Sequence, residues 1–138
     1  MLVGLTTAAT ILLLAAAAAA QTPPSPAIFD MKGTWTGTSE GIVAETKSPG
    51  SFQLRTATYT YKFEGQDGKR FWGTASSDLV TNERLIGSLS NDGKWIYMAG
   101  QDGLLDGQIV DADIIEMCYR HANATSAVVG CNRMKRVK

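Results

Sequence analysis

The chain has 138 residues with 13 basic and 13 acidic side chains, one histidine and two cysteines. A formal charge of zero argues against nucleic acid or an anionic membrane as principal partner, since both demand a basic surplus. The length is one domain's worth and supports a single core.

Residues 1–20, MLVGLTTAATILLLAAAAAA, carry no charge and end in an alanine tract with small residues at Ala18 and Ala20. This segment reads as a signal peptide cut after Ala20. The usual Lys or Arg near the start is missing, so a start codon further upstream and an uncleaved anchor stand as alternatives. The apolar run is at the short limit of a bilayer span. Each reading takes the remainder out of the cytoplasm, to a secreted or periplasmic location, with no stable membrane insertion after cleavage. Residues 21–31, opening QTPPSPA, form an extended Pro-rich leader, with structure beginning near Ile28 and a barrel domain over 32–138.

Next comes GTWTG, residues 33–37, a tryptophan between glycines on its own strand face. From Lys32 onward two-residue alternation and Asp-Gly turns recur, with no apolar run of helical spacing. Strands are predicted at 33–46, 52–64, 69–77, 84–90, 94–100, 104–110, 113–121 and 126–136, with a bulge at Gly41. Short connections favour neighbours in sequence order, and a sheet of this size tends to close. The expected fold is all-β, an eight-stranded antiparallel up-and-down barrel with Trp35 as its floor.

Three Asp-Gly turns set the register. A two-residue loop at Asp67-Gly68 would place Glu64 opposite Phe71. A three-residue loop at 66–68 instead pairs Glu64 with Arg70, Phe63 with Phe71 and Tyr61 with Gly73, matching charge with charge and covering a glycine with a ring. The three-residue rule at 91–93 pairs Leu89 with Trp95 and Gly87 with Tyr97. At 101–103 it pairs Tyr97 with Gly107 and Trp95 with Ile109. On this register Tyr59, Tyr61, Tyr97 and Tyr119 all point inward, and with Trp35 and Trp95 they are the candidate ligand-binding residues. Tyrosines lying over Gly73, Gly87 and Gly107 would leave volume above Trp35. A lumen filled by its own side chains is the competing expectation. Ile86, Ile96, Met98, Val110 and Ile114 face outward on the same register, a candidate patch for a protein partner or a homodimer.

Cys118 and Cys131 are expected to form a disulfide directly across the last hairpin, which places Glu116 opposite Arg133 and Met117 opposite Asn132. No CxxC-like spacing supports a redox role. His121 reads as a solvated turn residue, since no second histidine and no free cysteine joins it; no metal or cofactor is implied. Asp102, Asp106, Asp111, Asp113 and Glu116 lack calcium-loop spacing and are expected outside, beside the basic last strand. Asn123-Ala124-Thr125 matches the N-glycosylation acceptor pattern.

Gly33-Thr34-Trp35 together with the strand count resembles the calycin group, whose lipocalins, fatty-acid-binding proteins and avidins share a first-strand tryptophan at the barrel end. Avidins carry an asparagine two residues after that tryptophan to hold biotin. Here that place is Gly37, and no tryptophan follows Trp95, so the resemblance implies the fold and not biotin binding. Small secreted metalloprotease inhibitors are similar too, with a compact barrel, one disulfide and a mobile N-terminal leader. The expected function is a non-enzymatic exported protein binding a small apolar molecule in its lumen. The alternative is a protein-binding module such as a secreted protease inhibitor.

Overall fold

The computed structural model describes residues 27–138, apart from positions 46 and 49. The expected signal segment and the first part of the Pro-rich leader therefore lie outside the described residues. The strands are β1 (Gly33–Glu45), β2 (Phe52–Asp67), β3 (Arg70–Ser76), β4 (Glu83–Leu89), β5 (Trp95–Ala99), β6 (Leu104–Asp111), β7 (Ile114–Ala122) and β8 (Ser126–Arg136). They form a closed barrel in sequence order, with β8 pairing back onto β1. Closure leaves no edge strand to be covered.

The end that holds Trp35 is sealed. Trp35 is fully buried, and its indole N–H donates to the Met31 carbonyl at 3.0 Å. Met31 is itself fully buried, its N–H held by Gln66 Oε1 at 2.7 Å, while Gln66 Nε2 donates to the Phe29 carbonyl at 2.8 Å. The end of the leader is thus part of the barrel floor, although the sequence placed the boundary at residue 32. The glycines around Trp35 also find their reason. Gly33 has φ +118°, which lets the chain turn into β1, and a Cβ at Gly37 would collide with the Arg133 carbonyl and the Met134 sulfur of β8.

Turn chemistry moves three registers from their expected places. At the first hairpin Asp67 pairs with Arg70, leaving Gly68 and Lys69 as the turn, and a bulge follows between Phe63 and Gly65. The bulge therefore sits in β2; pairing of β1 with β2 runs unbroken through Gly41. Because Gln66 is tied to the leader and to the Gly68 carbonyl, it extends the strand instead of looping. Phe63 now faces Gly73 and Tyr61 faces Ala75. This is a slip of two residues from the expected pairing, and two residues restore the same face, so Tyr61, Phe63 and Phe71 are buried as expected.

The second turn is longer than expected. Ser90 pairs with Trp95 through a backbone bond of 2.9 Å, and the Ser90 hydroxyl accepts from the amides of Lys94 and Trp95. Asp92, hydrogen-bonded to Ser90 first and to the Lys94 amide second, has its carboxyl held below the usual range. Leu89 consequently faces Ile96, and the parity of β5 is reversed. The third turn is one residue shorter than expected, since Gly100 N–H donates to the Gly103 carbonyl and only Gln101 and Asp102 lie between. The two errors cancel beyond β5. Hence Trp95 and Tyr97 point outward, 47% and 51% exposed, while Ile96 and Met98 are core. The expected inward pair and the expected outward pair have exchanged places on this one strand.

The last hairpin has the register read from the sequence. Cys118 pairs with Cys131 and the two sulfurs are bonded. Glu116 faces Arg133, with the guanidinium 3.0 Å from the carboxylate, and Met117 faces Asn132.

Candidate ligand cavity

Side-chain size along the inward positions divides the lumen in two. Near the floor these positions carry Phe63, Phe71, Leu89, Ile96, Met117 and Met134, which fill the space. Away from the floor they carry Ser39 and Gly41 of β1, Ala57 of β2, Ala75 of β3 and Gly130 of β8, which do not. The result is a cavity of about 330 Å³, at the small end of pockets that enclose a ligand. It opens between the loops that follow β1, β3, β5 and β7, where Leu79 and Val80 edge the mouth. Both sequence expectations for the lumen therefore apply, each to one half.

The glycines expected to create space do not. Phe63 and the Lys62 carbonyl occupy the site beside Gly73; the Phe71 ring lies against Gly87, and the Met117 sulfur against Gly107. Gly41 and Gly130, with Ala57 and Ala75, make the cavity instead.

Tyr59, Tyr61 and Tyr119 line the cavity, as their inward parity implied. Trp35 lies below the packed layer and is not among its walls, and Trp95 and Tyr97 are on the opposite surface of the sheet. Tyr59, Tyr61, Phe63 and Phe71 run as a chain of ring contacts from cavity to core, with centroids 6.3, 6.2 and 5.1 Å apart. Burial pushes the Tyr61 phenol up to about 12; a hydrogen bond from Asn132 opposes this in part, and Tyr59 and Glu83 add to it. The Tyr119 phenol is also raised to about 12, by burial first and then by Glu83, Asp102 and Tyr59. Both phenols are neutral at physiological pH and can donate as well as accept.

Four groups line the cavity that the sequence had not assigned to it. Asn132 lies on β8 opposite Ser39 of β1, at the foot of the cavity beside Tyr61. Its Nδ2 donates to the Tyr61 oxygen over a long 3.4 Å, and its Oδ1 is sealed from water without a partner among the described residues. A buried acceptor left unpaired costs about 1–3 kcal/mol. The signal for it was available, since Asn132 is the lone amide in the inward series Val128, Gly130, Asn132, Met134. Glu83 and Asp102 sit at the mouth, with Glu83 Oε1 accepting from the Gln101 amide at 2.8 Å. His121, expected as a solvated turn residue, is half-buried on β7 and lines the mouth. Its Nδ1 is 2.7 Å from the Tyr119 hydroxyl and its Nε2 is 3.0 Å from Ser126 Oγ. A hydroxyl beside an imidazole has the outline of an activated nucleophile. Here Nδ1 meets the Tyr119 phenol and Nε2 meets Ser126, and the two contacts hold the ring at the rim of the cavity.

Fold and site define a closed, eight-stranded antiparallel barrel with a one-ended, mainly apolar lumen. No family model matches the chain, and no curated relative was found. Among solved structures the chain is similar to a redesigned β-barrel at 8% identity and TM-score 0.45, over 78% of this chain and 91% of the other. It is similar to the S-type phycobiliprotein lyase CPES from Guillardia theta at 9% identity and TM-score 0.44, over 78% and 89%. It is also similar to EF1p2_mFAP2b bound to DFHBI at 8% identity and TM-score 0.41, over 77% and 93%.

Proposed function

We propose that the chain is an exported, non-enzymatic binding protein that takes a small, largely apolar molecule into the open half of its lumen. The observation that carries this reading is the cavity itself: about 330 Å³, closed at the foot, walled by aliphatic and small side chains and supplied with three phenols. Its architecture accords with the calycin-like first strand. The signal-like first segment and the Cys118–Cys131 bond support an oxidising, extracytoplasmic setting.

A neutral dye such as Nile red tests the reading. Binding should raise and blue-shift its emission and raise the melting temperature. Ala57→Leu, which adds bulk to the cavity wall, should weaken binding by roughly tenfold, on the scale of one or two buried methylene groups. Unchanged dye emission, together with no thermal shift across a panel of neutral apolar compounds, would refute it.

A protein-binding module, such as a secreted protease inhibitor, is the second reading, and the outer surface favours it. The expected patch through Ile86, Ile96 and Met98 is lost because Ile96 and Met98 are core. Trp72, Ile86, Tyr97 and Leu104 take its place, all exposed on β3 to β6 around one shallow groove. Retained lumen binding in a Trp72→Ser, Tyr97→Ser variant that has lost inhibition of a secreted protease would separate the two readings.

A further inference from the structure

Resting on the lumen-binding reading, the geometry points to a ligand that carries an O–H or N–H donor at its buried end and no negative charge at its outer end. The buried end follows from Asn132 and Tyr61. They are the cavity-lining residues nearest the floor on their strands, since Trp35 pairs with Tyr61 and Ser39 with Asn132. The side chains packed into the lumen beneath them include Phe63, Phe71 and Met134. The amide there is not consumed by the fold: its oxygen has no donor among the described residues, and its nitrogen makes a single, slack contact of 3.4 Å. A hydroxyl or secondary amine entering between the two side chains competes with a weak bond. A half-turn about its last side-chain bond exchanges the two atoms, putting Nδ2 on the closed side and presenting Oδ1 to the ligand's proton, while the neutral Tyr61 O–H donates to the ligand's lone pair. A hydroxyl satisfies both partners at once. An ether accepts from Tyr61 but offers Oδ1 no proton, and a hydrocarbon of the same size does neither.

The outer end follows from the mouth. Glu83 and Asp102 both line it, and Glu83 is fixed in place by the Gln101 amide. Among the described residues only one cation, Arg55, lines the same mouth against these two carboxylates. His121 is committed to Tyr119 and Ser126. A carboxylate left at the mouth would therefore meet two like charges against one opposite charge. The class indicated is a neutral or cationic aromatic or alicyclic alcohol or amine, as opposed to a fatty acid.

Three probes of one ring system decide it: 2-naphthol, 2-methoxynaphthalene and 2-naphthoate, each titrated at pH 7 against the Nile red complex of the full chain. The expected order is 2-naphthol tightest, by about tenfold over the methyl ether, or about 1.4 kcal/mol, with 2-naphthoate weakest. In Asn132→Leu the tenfold preference should vanish while 2-methoxynaphthalene still binds. Tyr61→Phe, which keeps the ring and removes the hydroxyl, should reduce the same preference and serves if the leucine variant fails to fold. Equal affinities for the alcohol and its ether in the unaltered protein overturn the inference and leave lumen binding standing. A preference that survives both substitutions overturns it too. Displacement of dye by none of the three, with no dye binding in the first place, removes the lumen reading and this inference with it.

Discussion

The guanidinium of Arg136 lies over the indole of Trp35, its central carbon 4.1 Å from the ring centroid. The first and last strands are thereby joined at the barrel floor, beyond their backbone pairing. Arg136 also donates to the carbonyls of Asp30, Lys32 and Ala112 and faces the Asp113 carboxylate at 3.6 Å. One side chain thus holds the leader, the β6–β7 turn and the floor tryptophan together. Arg136→Ala should cost roughly 3 kcal/mol in urea unfolding, combining lost charge-assisted hydrogen bonds with the lost cation–π contact. Arg136→Lys should recover less than half, because an ammonium cannot reproduce the planar fork.

Tryptophan exposure reports the parity of β5. Trp72 and Trp95 are 48% and 47% exposed, and Trp35 is fully buried. Iodide should quench a variant retaining Trp72 or Trp95 alone several times more strongly than one retaining Trp35 alone. Strong protection of Trp95 would mean that the 91–93 loop has three residues after all. Because no tryptophan lines the cavity, a lumen ligand should perturb tyrosine absorbance more than tryptophan emission.

Stability should fall at alkaline pH. The Tyr61 phenol is raised to about 12 in the folded protein, against about 10 in an unfolded chain. Below pH 10 the phenol is protonated in both states and its contribution is fully present. Between pH 10 and 12 the unfolded state releases the proton while the folded state retains it, so the unfolded state gains. The loss by pH 12 is on the order of 2–3 kcal/mol. Tyr119 shifts in the same direction but lies nearer solvent, where screening reduces its effect. Tyr61→Phe should flatten the decline in melting temperature across this window.

Unreduced mass spectrometry should find Cys118 and Cys131 bridged, without alkylatable thiols. Replacing both with serine should lower stability by about 3 kcal/mol, the chain-entropy scale for a short loop. The far-ultraviolet spectrum should be unchanged, because β7 and β8 stay paired from Ile114 to Ala122 by their own hydrogen bonds and by the Glu116–Arg133 ion pair.

Asn132→Leu separates a ligand group from a structural one. A structural amide at a buried site would cost well over 1 kcal/mol to remove. Here the removed oxygen has no partner among the described residues, so relief of its desolvation should offset the loss of the long Tyr61 contact. The variant should unfold within about 1 kcal/mol of the unaltered protein.

Alternation and turn residues in the sequence were enough to determine the closed eight-stranded order, the buried Trp35, the inward Tyr59, Tyr61 and Tyr119, and the cystine register. These follow from period-two patterning, which survives any error that is even. The tertiary structure decided the parity of β5, because Ser90 and Asp92 close their loop through side-chain hydrogen bonds to backbone amides and so lengthen it by one residue. It also decided where the lumen is empty. A glycine leaves space only when no neighbour fills it, and whether Phe71 reaches Gly87, or anything reaches Gly41 across the lumen, depends on side chains brought together from strands distant in the chain. The Asn132 oxygen is of the same kind: the sequence places an amide among inward residues, but only the closed barrel brings Tyr61 to one end of it and, among the described residues, no partner to the other.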